Sequence, residues 1–138
     1  MILLDTNVVS ELMRPVPDSK VRAWLEGLGA TPLATSAVTI AEIVFGLARL
    51  PDGKRRSDLT ERFDALVLGP PALPVFALDE PAGRLAGEFR AVRETLGLGS
   101  SPSDMMIAGI VMANGVSLAT RNVADFTGVP ISITDPWA

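Results

Sequence analysis

The chain has 138 residues, of which 48% are apolar, and this size and composition predict one domain (residues 1–138) with a full hydrophobic core. It contains no cysteine and no histidine, which excludes disulfides, thiolate zinc sites, histidine-ligated metals and every catalytic triad that uses an imidazole. The net charge of −4 argues against a broad basic surface for nucleic acid, but it allows an enzyme that contacts a few phosphates through a metal and some arginines.

Apolar runs of strand length alternate with longer segments of helical period, a pattern that predicts a mostly parallel α/β sheet with helices on both faces. The predicted strands are residues 2–4, 33–35, 73–77, 116–119 and 131–133. The predicted helices cover approximately residues 6–13, 19–28, 36–50, 57–68, 80–96 and 103–114.

Several side chains carry more specific expectations. The fifth helix places Leu85, Phe89, Val92 and Leu96 at helical spacing, which predicts a buried stripe. Ser103 is the predicted N-cap of the sixth helix, and Asp18, Asp79 and Glu11 are interpreted as caps or surface groups.

No signal peptide is recognisable at the N-terminus, because no basic stretch precedes an apolar segment there. The longest clean apolar run, residues 105–113, is far too short to span a bilayer. We therefore expect a cytoplasmic protein that does not contact a membrane.

Three carboxylates lie in strongly apolar surroundings. Asp5 follows the apolar opening of the chain, Glu42 lies inside an apolar helix, and Asp104 precedes a run of methionine, isoleucine and valine. If the fold brings them together, repulsion at 5 Å adds roughly 3 kcal/mol per pair at an effective dielectric near 20. A divalent cation would relieve both the desolvation and the repulsion, so the sequence predicts an all-oxygen site for Mg²⁺ or Mn²⁺.

Each of these residues also has a simpler interpretation. Asp5 is suited to cap the first helix, and Glu42 to occupy a narrow solvated strip of its helix. Asp104 fits a capping arrangement with Ser101 and Ser103. A fourth acid, Asp125, follows another strand end but resembles an ordinary loop aspartate.

Four segments taken together resemble the PIN-domain family. They are residues 2–10 (ILLDTNVVS), 39–47 (TIAEIVFGL), 103–108 (SDMMIA) and 119–126 (ATRNVADF). The closing Asp135-Pro136-Trp137 is similar to the end of the FitB-like branch of VapC toxins, and the resemblance covers the whole chain in order. Two methionines follow Asp104 where the family often has Ala-Gln, and residues 97–101 lack the basic residues often found there.

The resemblance implies a Mg²⁺- or Mn²⁺-dependent endoribonuclease that acts as the toxin of a type II toxin–antitoxin pair. It makes Asp5, Glu42 and Asp104 ligands of the ion, directly or through water, with Asp125 completing the site or binding a second ion. Further candidates orient the carboxylates or contact phosphate: Thr6, Asn7 and Asn122 for the first role, and Arg121 for the second, unless Arg121 merely pairs with an acid.

The family also suggests a partner. It implies a cognate antitoxin, a small DNA-binding protein with an inhibitory segment that lies in a groove of the toxin, and a toxin homodimer within the complex. Gly46 lies one turn from Glu42 on the same helix face, so we expect it to leave open space there.

Two alternatives belong to other classes. A haloacid-dehalogenase-type phosphatase also begins with an aspartate after a buried strand, but it needs a second aspartate where this chain has Asn7. It also needs a lysine near the site, and neither Lys20 nor Lys54 lies at a predicted strand end. The other alternative is a partner-binding module without activity, whose acidic pocket holds an ion structurally.

Overall fold

The sheet has five strands, and every neighbouring pair is parallel. The structure, a computed structural model, describes residues 1–138. The strands are β1 (Ile2–Leu4), β2 (Leu33–Ser36), β3 (Val75–Phe76), β4 (Ser117–Ala119) and β5 (Ile133–Thr134), in the order β3-β2-β1-β4-β5. The predicted α/β class is confirmed. Because β1 is the central strand, its carboxyl end lies in the middle of the row formed by the carboxyl ends of the five strands, which we call the carboxyl edge of the sheet.

Six α-helices connect the strands, as the pattern predicts. They are α1 (Thr6–Leu12), α2 (Ser19–Gly27), α3 (Ala37–Arg49), α4 (Lys54–Leu68), α5 (Glu80–Thr95) and α6 (Pro102–Ala113). A short 3₁₀ turn, Val123–Phe126, follows β4. The predicted caps Asp18 and Asp79 each accept a hydrogen bond from a backbone N–H in the first turn of their helices, and Ser36 does so for α3.

Two cores cover the two faces of the sheet. Successive residues of a strand point to opposite faces, so Leu3 belongs to one core and Leu4 to the other. The core that contains Leu3 is formed mainly with α5 and α6, and the core that contains Leu4 is formed with α1, α3 and α4. Helices therefore flank both faces, as expected.

The buried stripe of α5 differs from the prediction. Val92 and Leu96 are 43% and 55% exposed, whereas the buried residues are Ala82, Ala86, Phe89 and Arg93. The reason is close packing on α6: a Cβ added at Gly109 would overlap the backbone of Ala82 and Ala86. Small residues on both helices permit this approach, and it turns the larger Val92 and Leu96 outward.

Some element ends also differ. Ser101, not Ser103, caps α6, because Pro102 fits the first helical position and the Ser101 hydroxyl accepts a hydrogen bond from the Asp104 N–H at 3.4 Å. Helix α4 begins at Lys54, three residues earlier than predicted, and β3 is only two residues long. None of the six α-helices combines the length and the hydrophobicity of a membrane-spanning segment.

Glu11 was predicted to be a cap or surface group, and this prediction is wrong. Its side chain is 8% exposed, pairs with Arg14 at 2.9 Å and accepts a hydrogen bond from the Asp18 backbone N–H at 3.1 Å. The contact ties the end of α1 to the start of α2, a link between segments that local sequence does not reveal.

Candidate functional site

An acidic cavity of about 250 Å³ opens at the carboxyl edge of the sheet, next to β1. Its lining is entirely polar and consists of Asp5, Thr6, Asn7, Glu42, Asp104 and Asn122. The first three residues follow β1 directly, and Asn122 follows β4. Helices α3 and α6 supply the remaining two acids. The structure thus places around one cavity the three acids that the sequence puts in apolar surroundings.

Asp5 is buried, with 3% of its surface exposed, and it is held from three directions. One carboxylate oxygen accepts the Thr6 N–H at 2.8 Å, and the other accepts the Thr120 hydroxyl at 2.7 Å and the Asn7 amide at 3.4 Å. Burial raises the pKa of Asp5, the bonds from Thr120 and Thr6 partly offset this, and the charge of Glu42 raises it further. The carboxyl is also the N-cap of α1, so the simpler interpretation describes part of its role.

Glu42 reaches the acidic cavity from the side of α3. Its carboxylate accepts a hydrogen bond from the Thr6 hydroxyl at 2.9 Å, and the Thr6 oxygen lies 3.1 Å from the buried Thr39 hydroxyl. The hydroxyls of Thr39 and Thr6 therefore form a row that ends on Glu42. This row holds an otherwise exposed glutamate toward Asp5.

Asp104 lies in the first turn of α6, and its carboxylate accepts no hydrogen bond from the protein. Burial, followed by the negative charges of Asp5, Asp125 and Glu42, raises its pKa to about 6, while Arg93 opposes the shift. A carboxyl with this combination of burial and neighbouring charge is typical of functional sites.

Asp125 and Arg121 do not line the acidic cavity, but each lies near a residue that does. Asp125 belongs to the 3₁₀ turn and does not line the acidic cavity, although its charge is near enough to raise the pKa of Asp104. The Arg121 guanidinium stacks over the Trp137 ring at 5.0 Å. The backbone N–H of Arg121 donates to the Asn7 side-chain oxygen at 3.1 Å. Arg121 has no carboxylate within 4.0 Å, so its positive charge is not paired with an acid.

Sequence reasoning missed the contributions of Thr120, Thr39 and Arg93. Thr120 directly follows β4, and a small hydroxyl residue at a strand's carboxyl end is the signal that points to it. Buried Arg93 donates to the carbonyls of Gly99 at 2.6 Å and Thr127 at 2.7 Å. These bonds join the loop that precedes Asp104 to the segment that follows Asp125. No local pattern identifies it, because a helical arginine is usually exposed.

The chemistry of the donors suits a hard divalent cation, although no three acidic side chains lie close enough together to hold a metal ion between them. Mutual repulsion keeps carboxylates apart when no cation lies between them. Mg²⁺ commonly retains several waters and uses only one or two carboxylates, so it does not require a closed protein cage. Oxygen donors without histidine or cysteine, together with an unbonded Asp104 carboxylate, suit Mg²⁺ or Mn²⁺.

Known proteins share this architecture. The family model described as PIN domain matches residues 2–129. The VapC ribonuclease Y4jK of Sinorhizobium fredii is 39% identical over 137 residues, covering 99% of this chain and 98% of the relative. Toxin FitB of Neisseria gonorrhoeae is 35% identical over 137 residues, covering 99% of each chain. The structure of FitAB bound to the IR36 DNA fragment has a TM-score of 0.88 and 34% identity, covering 100% of this chain and 96% of that chain.

The match spans nearly the whole chain in sequence and in structure. The chain therefore belongs to the PIN-domain family, in the branch of VapC and FitB toxins. The resemblance inferred from the four acidic segments is confirmed.

Proposed function

We propose that this protein is an endoribonuclease that uses Mg²⁺ or Mn²⁺ and acts as the toxin of a type II toxin–antitoxin pair. The acidic cavity carries the proposal, because Asp104 has a pKa raised to about 6 beside three further carboxylates. The similarity to a VapC ribonuclease at 39% identity supports the choice of RNA as substrate. An enzyme of this kind would act in the cytoplasm, where cellular RNA is found.

Each residue of the acidic cavity has a proposed role. Asp5, Glu42 and Asp104 hold the ion directly or through water, and Asp125 completes the site or binds a second ion. A cation held there supplies an activated water at neutral pH and offsets negative charge that develops on the scissile phosphate.

The surrounding polar side chains fix the orientation of these acids. Thr120 and Asn7 donate to one oxygen of Asp5, which leaves the carboxylate a defined direction toward the cavity. The Thr6 hydroxyl donates to the Glu42 carboxylate and so fixes the orientation of Glu42. The Asn122 backbone N–H donates to the Thr120 hydroxyl at 3.1 Å. Arg121, stacked on Trp137 and free of carboxylate partners, is placed to contact a substrate phosphate.

The proposed partner is a cognate antitoxin that binds DNA and inserts an inhibitory segment beside the acids, within a complex that contains a toxin homodimer. Helix α3 supports this proposal, since Val44 and Phe45 are 49% and 63% exposed next to Glu42. Gly46 has open space around it. The similar FitAB complex is bound to DNA. An arginine of the segment would satisfy the carboxylates in place of a cation.

A nuclease assay tests the catalytic proposal. Purified protein should cleave RNA with Mg²⁺ or Mn²⁺, and EDTA should abolish cleavage. Asp5→Asn should lose most activity while its circular dichroism spectrum stays native, because the amide keeps the shape but cannot bind the cation as strongly. Full activity in EDTA would contradict the mechanism. Binding of Mg²⁺ without any cleavage would favour the partner-binding module instead.

A further inference from the structure

A second cavity, which shares no lining residue with the acidic cavity, is lined mainly by cations. It has a volume of about 550 Å³ and lies where the end of α1 meets the first turns of α4. Four of the chain's 12 cationic side chains line it, namely Arg14, Lys54, Arg55 and Arg62, and Asp58 is the one acid among the lining residues. We call it the basic cavity.

Nearby acids neutralise only part of this charge. Lys54 pairs with Asp58 at 3.0 Å, and Arg14 pairs with Glu11 at 2.9 Å while 61% of the Arg14 side chain stays exposed. Neither Arg55 nor Arg62 has a carboxylate within 4.0 Å. With Glu11 counted, four cations face two acids, so the basic cavity has a surplus of two positive charges.

The positive charges at the start of α4 also destabilise this helix. The first turn of this helix contains Lys54, Arg55 and Arg56 and no acid. Cations at a helix N-terminus are unfavourable, because that end carries the positive pole of the helix dipole. Arg56 is compensated by Asp52 at 2.8 Å, but Arg55 is not. Local rules are usually broken where function requires it, and the cationic lining of the basic cavity offers such a reason.

The basic cavity is within reach of the acidic cavity. Helix α1 begins at its cap Asp5, in the acidic cavity, and Arg14 follows its last residue, Leu12, by two positions. At a rise of 1.5 Å per residue, the two ends are separated by roughly 13 Å. One strand of RNA is long enough to contact both cavities.

We propose that the basic cavity binds the phosphodiester backbone of the RNA substrate a few nucleotides from the bond that is cut. The inference rests on the proposed function. Because the whole chain carries −4 and the basic cavity +2, the rest carries −6 and repels RNA. Arg55 and Arg62 have free guanidinium groups, which bind phosphate oxygens in pairs and without base preference.

The test measures RNA binding without cleavage. In an Asp5→Asn background and in EDTA, a short fluorescein-labelled single-stranded RNA of mixed sequence is titrated at several salt concentrations. Arg55→Gln/Arg62→Gln should weaken binding about tenfold at low salt and reduce the slope of log K against log salt by about 1.4, or 0.7 per lost phosphate contact. The control is Arg84→Gln/Arg90→Gln on the exposed side of α5, which removes the same charge, although Arg84 pairs with Glu80 at 3.0 Å, and it should change neither value.

Kinetics provide a second measurement. With Asp5 intact and Mg²⁺ present, Arg55→Gln/Arg62→Gln should raise KM and leave kcat unchanged, because neither side chain reaches the acidic cavity. Melting temperatures should be equal to or above that of the parent, since Arg55→Gln removes a cation from the first turn of α4. Arg55→Gln alone should give half the change in salt slope, so a misfolded double variant would not prevent the test.

The outcomes separate the two proposals. Unchanged affinity and salt slope, or an equal loss in the α5 control, would overturn the basic cavity as an RNA site. Normal RNA binding with weakened inhibition by the antitoxin would also overturn it, in favour of an acidic partner segment. If the wild type cleaves no RNA but the salt slope still falls in the double variant, the ribonuclease proposal fails, while the basic cavity stands as an RNA-binding site and loses only its position relative to a cut bond.

Discussion

The charge of Asp104 depends on burial and on the neighbouring acids. Its pKa is raised to about 6 from the ordinary 3.8, first by burial and then by the charges of Asp5, Asp125 and Glu42. The folded state therefore holds this proton more tightly than the unfolded state does. The resulting stabilisation is present below pH 3.8 and is lost as the pH rises to about 6.

Asp104→Asn removes this pH dependence, so the metal-free variant should be more stable than the wild type at pH 7 and equally stable near pH 3.5. A full shift would correspond to about 3 kcal/mol, and because Asp104 is partly exposed to solvent we expect about 1 kcal/mol. Urea unfolding in EDTA at the two pH values measures the difference. A variant that is less stable than wild type at pH 7 would show that Asp104 stabilises the fold instead.

A substitution at Glu42 tests whether this exposed glutamate belongs to the proposed metal site. Glu42→Gln keeps the hydrogen bond from Thr6 but removes a charge, so both the Mg²⁺ affinity and the cleavage rate should fall, the rate by about 100-fold. Glu61→Gln on α4 is the control, since it is exposed and does not line the acidic cavity. Titration calorimetry and single-turnover cleavage measure both effects. Near-silent results at the two positions would make Glu42 an ordinary surface residue.

At the scale of elements, local chemistry predicts what is local. Ser36 and Asp79 are recognisable as caps because each bonds the backbone only three residues away. Thr120 is not recognisable as a partner of Asp5, because the contact joins positions 115 residues apart. The burial of Arg93 is equally hidden, since it depends on how closely α5 approaches α6 and on carbonyls of two loops.

The same limit applies to the site. Apolar neighbours in the sequence single out Asp5, Glu42 and Asp104, because a carboxylate in such a segment requires a reason. Whether they share one cavity depends on the strand order, which puts β1 between β2 and β4. The hydroxyl row from Thr39 through Thr6 follows from the packing of α1 on α3, and no short pattern encodes it.

The close contact of α5 with α6 gives a prediction at this scale. Gly109→Ala should destabilise the protein by about 1–3 kcal/mol, because the added methyl overlaps the backbone of Ala82. Gly87→Ala is the matched control: it lies on the exposed side of α5 with open space around it, and should stabilise by up to about 1 kcal/mol. Thermal unfolding of both variants measures this. Equal effects would mean that the helices do not approach so closely.

At the scale of the whole molecule, charge and apolar surface are unevenly distributed. The acidic cavity lies at the carboxyl edge of the sheet, and the exposed Val44 and Phe45 lie beside it on α3. A surface with acids next to exposed apolar side chains is suited to an amphipathic cationic peptide. Both edge strands, β3 and β5, are only two residues long, so the sheet offers little edge for a further strand.

The antitoxin segment and Mg²⁺ should therefore compete for the acidic cavity. Raising Mg²⁺ should weaken inhibition by a basic antitoxin peptide beyond the effect of ionic strength, which matched NaCl controls separate. Gly46→Leu should weaken the peptide more than it weakens the metal, because the new side chain enters the open space beside Glu42. Inhibition and Mg²⁺ titrations on both proteins measure this. If inhibition is indifferent to Mg²⁺ at fixed ionic strength and unchanged by Gly46→Leu, the antitoxin binds elsewhere, and the exposed apolar face of α3 has another purpose.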